Sequence, residues 1–124
     1  MWVLEFRVDV GRGPDCATVT VSGELDIATA PELVSAIEQA AELPGSGVVV
    51  DLLATSFIDS TGLTTLFRAH KRFAEESRAF SLVVGPDNVE VQRVIDLMGF
   101  DEVFTLHPSR AAAGCDNSGA GSPS

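Results

Sequence analysis

Between Trp2 and Val10 the chain alternates. Trp2, Leu4, Phe6, Val8 and Val10 fall on one side of the period; Val3, Glu5, Arg7 and Asp9 fall on the other. A period of two belongs to a half-buried strand. Gly11 to Asp15, "GRGPD", reads as a turn, and "CATVTVSG" (16–23) alternates again, so the two segments predict an antiparallel hairpin. The period then changes. In "GELDIATAPELVSAIEQAAEL" Thr29 and Glu32 have capping-box spacing, Pro31 sits in the first turn, and Leu33, Ala36, Ile37, Ala40 and Ala41 share one helical face. Pro44-Gly45-Ser46-Gly47 ends that helix. "VVVDLL" (48–53) is continuous and β-branched, the pattern of a central strand covered on both faces.

After a short polar joint, helical spacing resumes near Ser60. Leu63, Leu66, Phe67, His70, Phe73 and Ala74 point one way, and Arg68, Lys71, Arg72 and Glu75 the other. "FSLVVG" predicts a short strand. Asp87 and Glu90 suggest another capping box, Val91, Val94, Ile95 and Met98 form the inner face of a third helix, and Gly99 suits its C-terminal cap. "EVFTL" predicts a last strand. From Pro108 onward small and polar residues leave almost nothing to bury, which predicts a disordered tail over 108–124. The order is β-β-α-β-α-β-α-β over residues 1–107. It predicts a single α/β domain whose mixed sheet is packed with helices, with right-handed crossovers and parallel later strands. Pattern alone does not assign the strand order.

Composition narrows the function. At 124 residues the chain is long enough for one core, and its apolar runs are too short to span a bilayer. The start of the chain lacks the basic and apolar regions of a secretory signal, which favours a cytoplasmic location. A net charge of −10, with 8 basic and 18 acidic residues, argues against a nucleic-acid or anionic-membrane surface. Cys16 and Cys115 lie far apart with no metal-ligand spacing around either, so two reduced thiols are expected, with no metal site and no cofactor.

The joint "IDSTGL" carries the candidate chemistry. Asp, Ser and Thr are all preferred helix caps, yet Asp59, Ser60 and Thr61 stand in a row where one would suffice. A helix start also offers unpaired N–H groups and a partial positive charge, which tolerate a phosphate. Gly62 is expected to leave the backbone accessible beside it. Catalytic readings fare poorly. Around Ser60 the sequence I-D-S-T-G lacks the first glycine of a nucleophile elbow, His70 belongs to the apolar stripe of its helix, and His107 borders the tail. Asp59 is one residue too far from the glycine for an aspartic-protease motif, and the phosphate-loop motif G-x-x-x-x-G-K is absent. The chain therefore reads as a non-enzyme.

Together, "VSGELDIATAPEL" (21–33) and "VVVDLLATSFIDSTGLTTL" (48–66) resemble the anti-sigma factor antagonists, the bacterial branch of the STAS domain family. The resemblance covers about residues 1 to 107 and implies the same order of elements. It implies a cytoplasmic binding module that sequesters an anti-sigma factor carrying an ATPase-type serine kinase domain and so controls sigma-factor-dependent transcription. The kinase would phosphorylate Ser60, which would abolish binding, and a serine phosphatase would reverse it. Matched by position, the partner-binding set is Glu24, Asp26, Asp59, Ser60, Thr61 and Gly62. On their own residues, Asp26 reads equally as an acid that only caps the first helix, Thr61 as a helix-start residue, and Glu24 as a solvated one. The other reading of the resemblance is a STAS scaffold subunit of a stress-signalling or lipid-transport complex, with Ser60 only a cap.

Overall fold

The structure, a computed structural model, describes residues 6–13, 16–43 and 47–114. The elements are β1 (Arg7–Arg12), β2 (Cys16–Leu25), α1 (Ala30–Glu42), β3 (Gly47–Ile58), α2 (Ser60–Glu75), β4 (Ala79–Val83), α3 (Val89–Leu97) and β5 (Thr105–His107), in the predicted order. Strand order in the sheet follows chain order, β1-β2-β3-β4-β5. β1 pairs antiparallel with β2 and every later pair is parallel. A sheet that always advances in one direction through right-handed crossovers must place all its helices on one face. Accordingly Leu33 and Ile37 of α1, Leu63, Leu66 and Phe73 of α2, and Val91 and Ile95 of α3 share one core with Val19, Val21, Val48, Val50, Leu52 and Leu82.

The other face has a different cover. Residues 108–114, which composition placed in a disordered tail, form turns against it. Ala113 packs on Cys16, Val49 and Val83. Arg110 Nε donates to Oδ2 of buried Asp51 at 2.7 Å, and its Nη2 donates to the Thr20 hydroxyl. An arginine can bind a carboxylate and a hydroxyl at once through its rigid fork, so one side chain anchors the segment. Residues 115–124 lie outside the described residues. The expectation of a reduced thiol at Cys16 is corrected as well: Cys16 is disulfide-bonded, and Cys115, the chain's other cysteine, is outside the described residues.

β3 runs to Ile58, five residues beyond its expected end. β4 pairs only with Gly47 to Asp51, while β2 continues alongside to Leu25↔Ile58 through two register shifts. Such irregularities leave no trace in the apolar period. Asn88 seals the free edge: its Nδ2 donates to the carbonyls of Leu52, Leu53 and Thr55 at 3.0–3.3 Å, and its Oδ1 accepts the Gly85 N–H at 2.6 Å. This also corrects the capping box expected from Asp87 and Glu90. Asn88 is the N-cap residue of α3, and its side chain serves the sheet instead of the helix. Gly99 takes a positive φ of 75° just after α3, as a left-handed cap requires. Met98, expected inside, is 43% exposed because α3 buries only Val91 and Ile95.

Candidate functional site

The extended pairing of β2 with β3 builds the site. Leu25↔Ile58 is the last pair of the ladder, and the Asp59 N–H donates to the Leu25 carbonyl at 3.1 Å just beyond it. The turns that leave the two strands, residues 25–29 and 58–60, are thereby held side by side. The G-E-L-D and D-S-T-G segments, more than thirty positions apart in the chain, meet at one edge of the sheet. This is the carboxyl edge of the parallel strands, where sites in such sheets gather.

In the first turn Asp26 Oδ1 accepts the N–H groups of Ala28 at 2.9 Å and Thr29 at 3.2 Å. The Thr29 hydroxyl accepts the Asp26 N–H and donates to the Glu24 carbonyl, both at 2.9 Å. Thr29 occupies the N-cap position of α1 but makes no side-chain cap bond, so the capping box expected with Glu32 does not form. Its hydroxyl is committed to closing the turn. Asp26 is half-buried and Glu24 exposed.

In the second turn Asp59 is the cap. Its Oδ1 accepts the Gly62 N–H at 2.9 Å, and its carbonyl accepts the Leu63 N–H at 3.0 Å. Ser60 is therefore the first helical residue and not the capping one. It is exposed, and among the described residues its hydroxyl makes no hydrogen bond. The redundancy of Asp59-Ser60-Thr61 resolves into one cap and a hydroxyl left over. Thr61 is half-buried beside it. Gly62 does not keep the backbone open, as expected, but is buried. A Cβ there would lie 2.8 Å from Leu25 Cγ, 2.9 Å from the Leu25 carbonyl oxygen and 3.2 Å from Ile58 Cγ1. It is the contact that lets α2 start against the end of β2.

Ser60, Thr61, Thr64, Thr65 and Arg68 line an open cavity of about 250 Å³. Arg68 was read from the sequence only as an outward-facing residue. Its signal was present: Ser60, Thr64 and Arg68 follow one another at intervals of four on one helical face. Neither histidine joins this cavity. His70 lies half-buried on α2 with its ring edge-on to Phe80 and Phe104, and His107 borders a separate cavity with Asp96 and Gln92. Among the described residues no group of three or more His, Cys, Asp or Glu could hold a metal, and no helix is long and apolar enough to cross a membrane. What the site offers is an accessible hydroxyl on a helix start, at the sheet edge that also carries Glu24, Asp26 and Asp59.

Comparison with known proteins identifies the family and the fold. A model of the STAS domain matches residues 7–113. The anti-sigma-F factor antagonist RsfB of Mycobacterium tuberculosis is 33% identical over 101 residues, 82% of this chain and 80% of that protein. The anti-sigma-B factor antagonist of Listeria monocytogenes is 28% identical over 95 residues, 77% and 82% of the two chains. Among solved structures, an anti-sigma factor antagonist from Mycobacterium paratuberculosis superposes with a TM-score of 0.78 at 33% identity, covering 88% of this chain and 91% of that one.

Proposed function

The chain belongs to the STAS domain family, and from that premise we propose that it is an anti-sigma factor antagonist switched by phosphorylation of Ser60. In the unmodified form it binds, in the cytoplasm, an anti-sigma factor with an ATPase-type serine kinase domain and releases the sigma factor. Glu24, Asp26, Asp59, Ser60, Thr61 and Gly62 form the docking edge. The observation that carries this reading is the uncommitted, exposed Ser60 hydroxyl beside a helix cap supplied by Asp59. A cap is needed there for stability; a second, free hydroxyl is not.

The transfer itself asks little of this chain. The Ser60 oxygen attacks the γ-phosphorus of ATP held by the partner, the bond to ADP breaks, and the hydroxyl proton leaves to a base of the partner. A serine phosphatase later hydrolyses the ester. Phosphate adds about −1.5 to −2 charge at neutral pH, one residue after Asp59, at the sheet edge that carries Asp26 and on a chain already at −10. A hundredfold loss of affinity corresponds to about 2.8 kcal/mol. One like-charge contact near 4 Å at an effective dielectric of 20 amounts to about 4 kcal/mol. Repulsion at the interface is enough, and the fold can stay as it is.

Mass spectrometry after incubation with the anti-sigma factor kinase and ATP tests the assignment. One phosphate on Ser60 is expected, and none on Ser60→Ala. Undiminished phosphorylation of Ser60→Ala would remove the assignment.

A further inference from the structure

Residues 108–114 lie on the sheet face that carries no helix, and their contacts span three strands. On that face β2 presents Cys16 and Thr20, β3 presents Val49 and Asp51, and β4 presents Val83. Arg110 holds Asp51 and Thr20, and Ala113 packs on Cys16, Val49 and Val83. Gly114 then borders a cavity of about 120 Å³ together with Ala113, Cys16 and Val49. The strap therefore brings the chain beside Cys16 one residue before Cys115.

The non-covalent hold on this strap is slender. Among the described residues it consists of one ion pair, one hydrogen bond to a hydroxyl and the packing of one small side chain. Every residue that is ordered gives up backbone freedom, and Ala111, Ala112, Ala113 and Gly114 have little side-chain surface to bury against that loss. A covalent link offsets much of the loss, because it confines the strap when it is off the sheet as well. Cys16 is disulfide-bonded. In a cytoplasmic chain a disulfide is characteristically one that opens and closes with the redox state.

We propose that residues 108–115 form a redox-released strap. When oxidised, a disulfide between Cys16 and Cys115, the chain's two cysteines, keeps the strap on the sheet. When reduced by a protein dithiol, the strap leaves and the face around Thr20, Val49 and Asp51 opens to water. Cys16 is 8% exposed, so a thiolate of the dithiol attacks the other sulfur. The protein S–S bond breaks, and Cys16 departs as a thiolate and takes a proton. The second thiol of the dithiol then attacks the mixed disulfide, closing its own S–S bond and releasing Cys115 as a thiol. Two electrons have passed from the dithiol to the protein. Arg110 and Asp51 both become hydrated on release, so neither is left as a lone buried charge. The device uses neither Ser60 nor its docking edge, and shares with the proposed function only the cytoplasmic location.

The full chain, purified without reductant, is tested first by mass spectrometry of a non-reduced digest. A peptide pair joining Cys16 to Cys115 is expected; two free thiols, or a bond between two chains, would overturn the assignment. Amide exchange then follows Ala113 and Gly114, whose N–H groups bond to carbonyls of Ser109, Arg110 and Ala111 within the strap. Dithiothreitol should speed exchange at these two amides by about tenfold or more and leave the amides of β3 as they were. Cys115→Ser, a change outside the core, should exchange at the reduced rate with or without dithiothreitol. Unchanged protection on reduction would mean that Arg110 and Ala113 hold the strap unaided, and the switch would be lost. Loss of protection throughout the sheet would also overturn it, since the disulfide would then hold the fold and not the strap. Reduced thioredoxin, a protein dithiol, replaces dithiothreitol in a second series. A bond that it leaves closed is a permanent staple, and the proposal fails. None of these outcomes bears on phosphorylation of Ser60, which is tested separately.

Discussion

Two turns meet at the site, and each is organised by an aspartate, Asp26 or Asp59, whose Oδ1 accepts backbone N–H groups. They differ in what happens to the neighbouring hydroxyl. In the first, the Thr29 hydroxyl is used twice, as acceptor from Asp26 N–H and donor to the Glu24 carbonyl. In the second, Asp59 performs the capping alone and the Ser60 hydroxyl is left exposed. The first turn is a closed polar network and the second has a spare group. Chemistry at a turn needs a functional group that folding does not consume, and only the second turn has one.

Substitutions can break this contrast, and the largest effect belongs to charge. Ser60→Glu should weaken partner binding by about a hundredfold, roughly 2.8 kcal/mol, whereas Ser35→Glu on the exposed side of α1 should leave it within about twofold; calorimetric titration of both variants decides. Equal affinities would mean that negative charge at the second turn has no special leverage.

Gly62→Ala tests the packing that brings the turns together. With a Cβ at 2.8–2.9 Å from Leu25 atoms, α2 must move away from the end of β2. Overpacking of this kind costs about 1–3 kcal/mol, read as a lower midpoint in urea at unchanged slope. An unaltered midpoint would show that the contact is soft.

Asp59→Ala should cost about 1 kcal/mol by loss of the cap, with Asp59→Asn recovering most of it because the amide oxygen can still accept the Gly62 N–H. Thr29→Val should cost a similar amount, about 1 kcal/mol, since its partners lie partly in water. The smallest effect is the most telling. Ser60→Ala should change stability by less than about 0.5 kcal/mol. If it cost as much as Asp59→Ala, the hydroxyl would be a cap after all.

Much of this was legible in the chain. The order of elements followed from the change of period at Gly23, Gly47 and Ser60. α2 starts at Ser60, and Gly99 ends α3, where cap chemistry placed them. Residues whose neighbours are distant in sequence were less readable. The Thr29 hydroxyl had a capping-box partner in Glu32 but took Asp26 and Glu24, which the β2–α1 turn brings closer. Asn88 looked like part of a helix start and instead serves carbonyls of β3 over thirty positions away. Arg110, in a stretch with nothing to bury, pairs with buried Asp51.

What the sequence determined by itself is the set of local structures and the one strand-to-helix joint rich in capping residues, because periodicity and cap preference are properties of adjacent residues. Tertiary structure decided which of those residues would be spent. Only the register of β2 on β3 brings Leu25 against Ile58 and Gly62. That contact places Asp59 as the cap and leaves Ser60 free, because a hydrogen-bonding group is satisfied by whatever folding brings within reach.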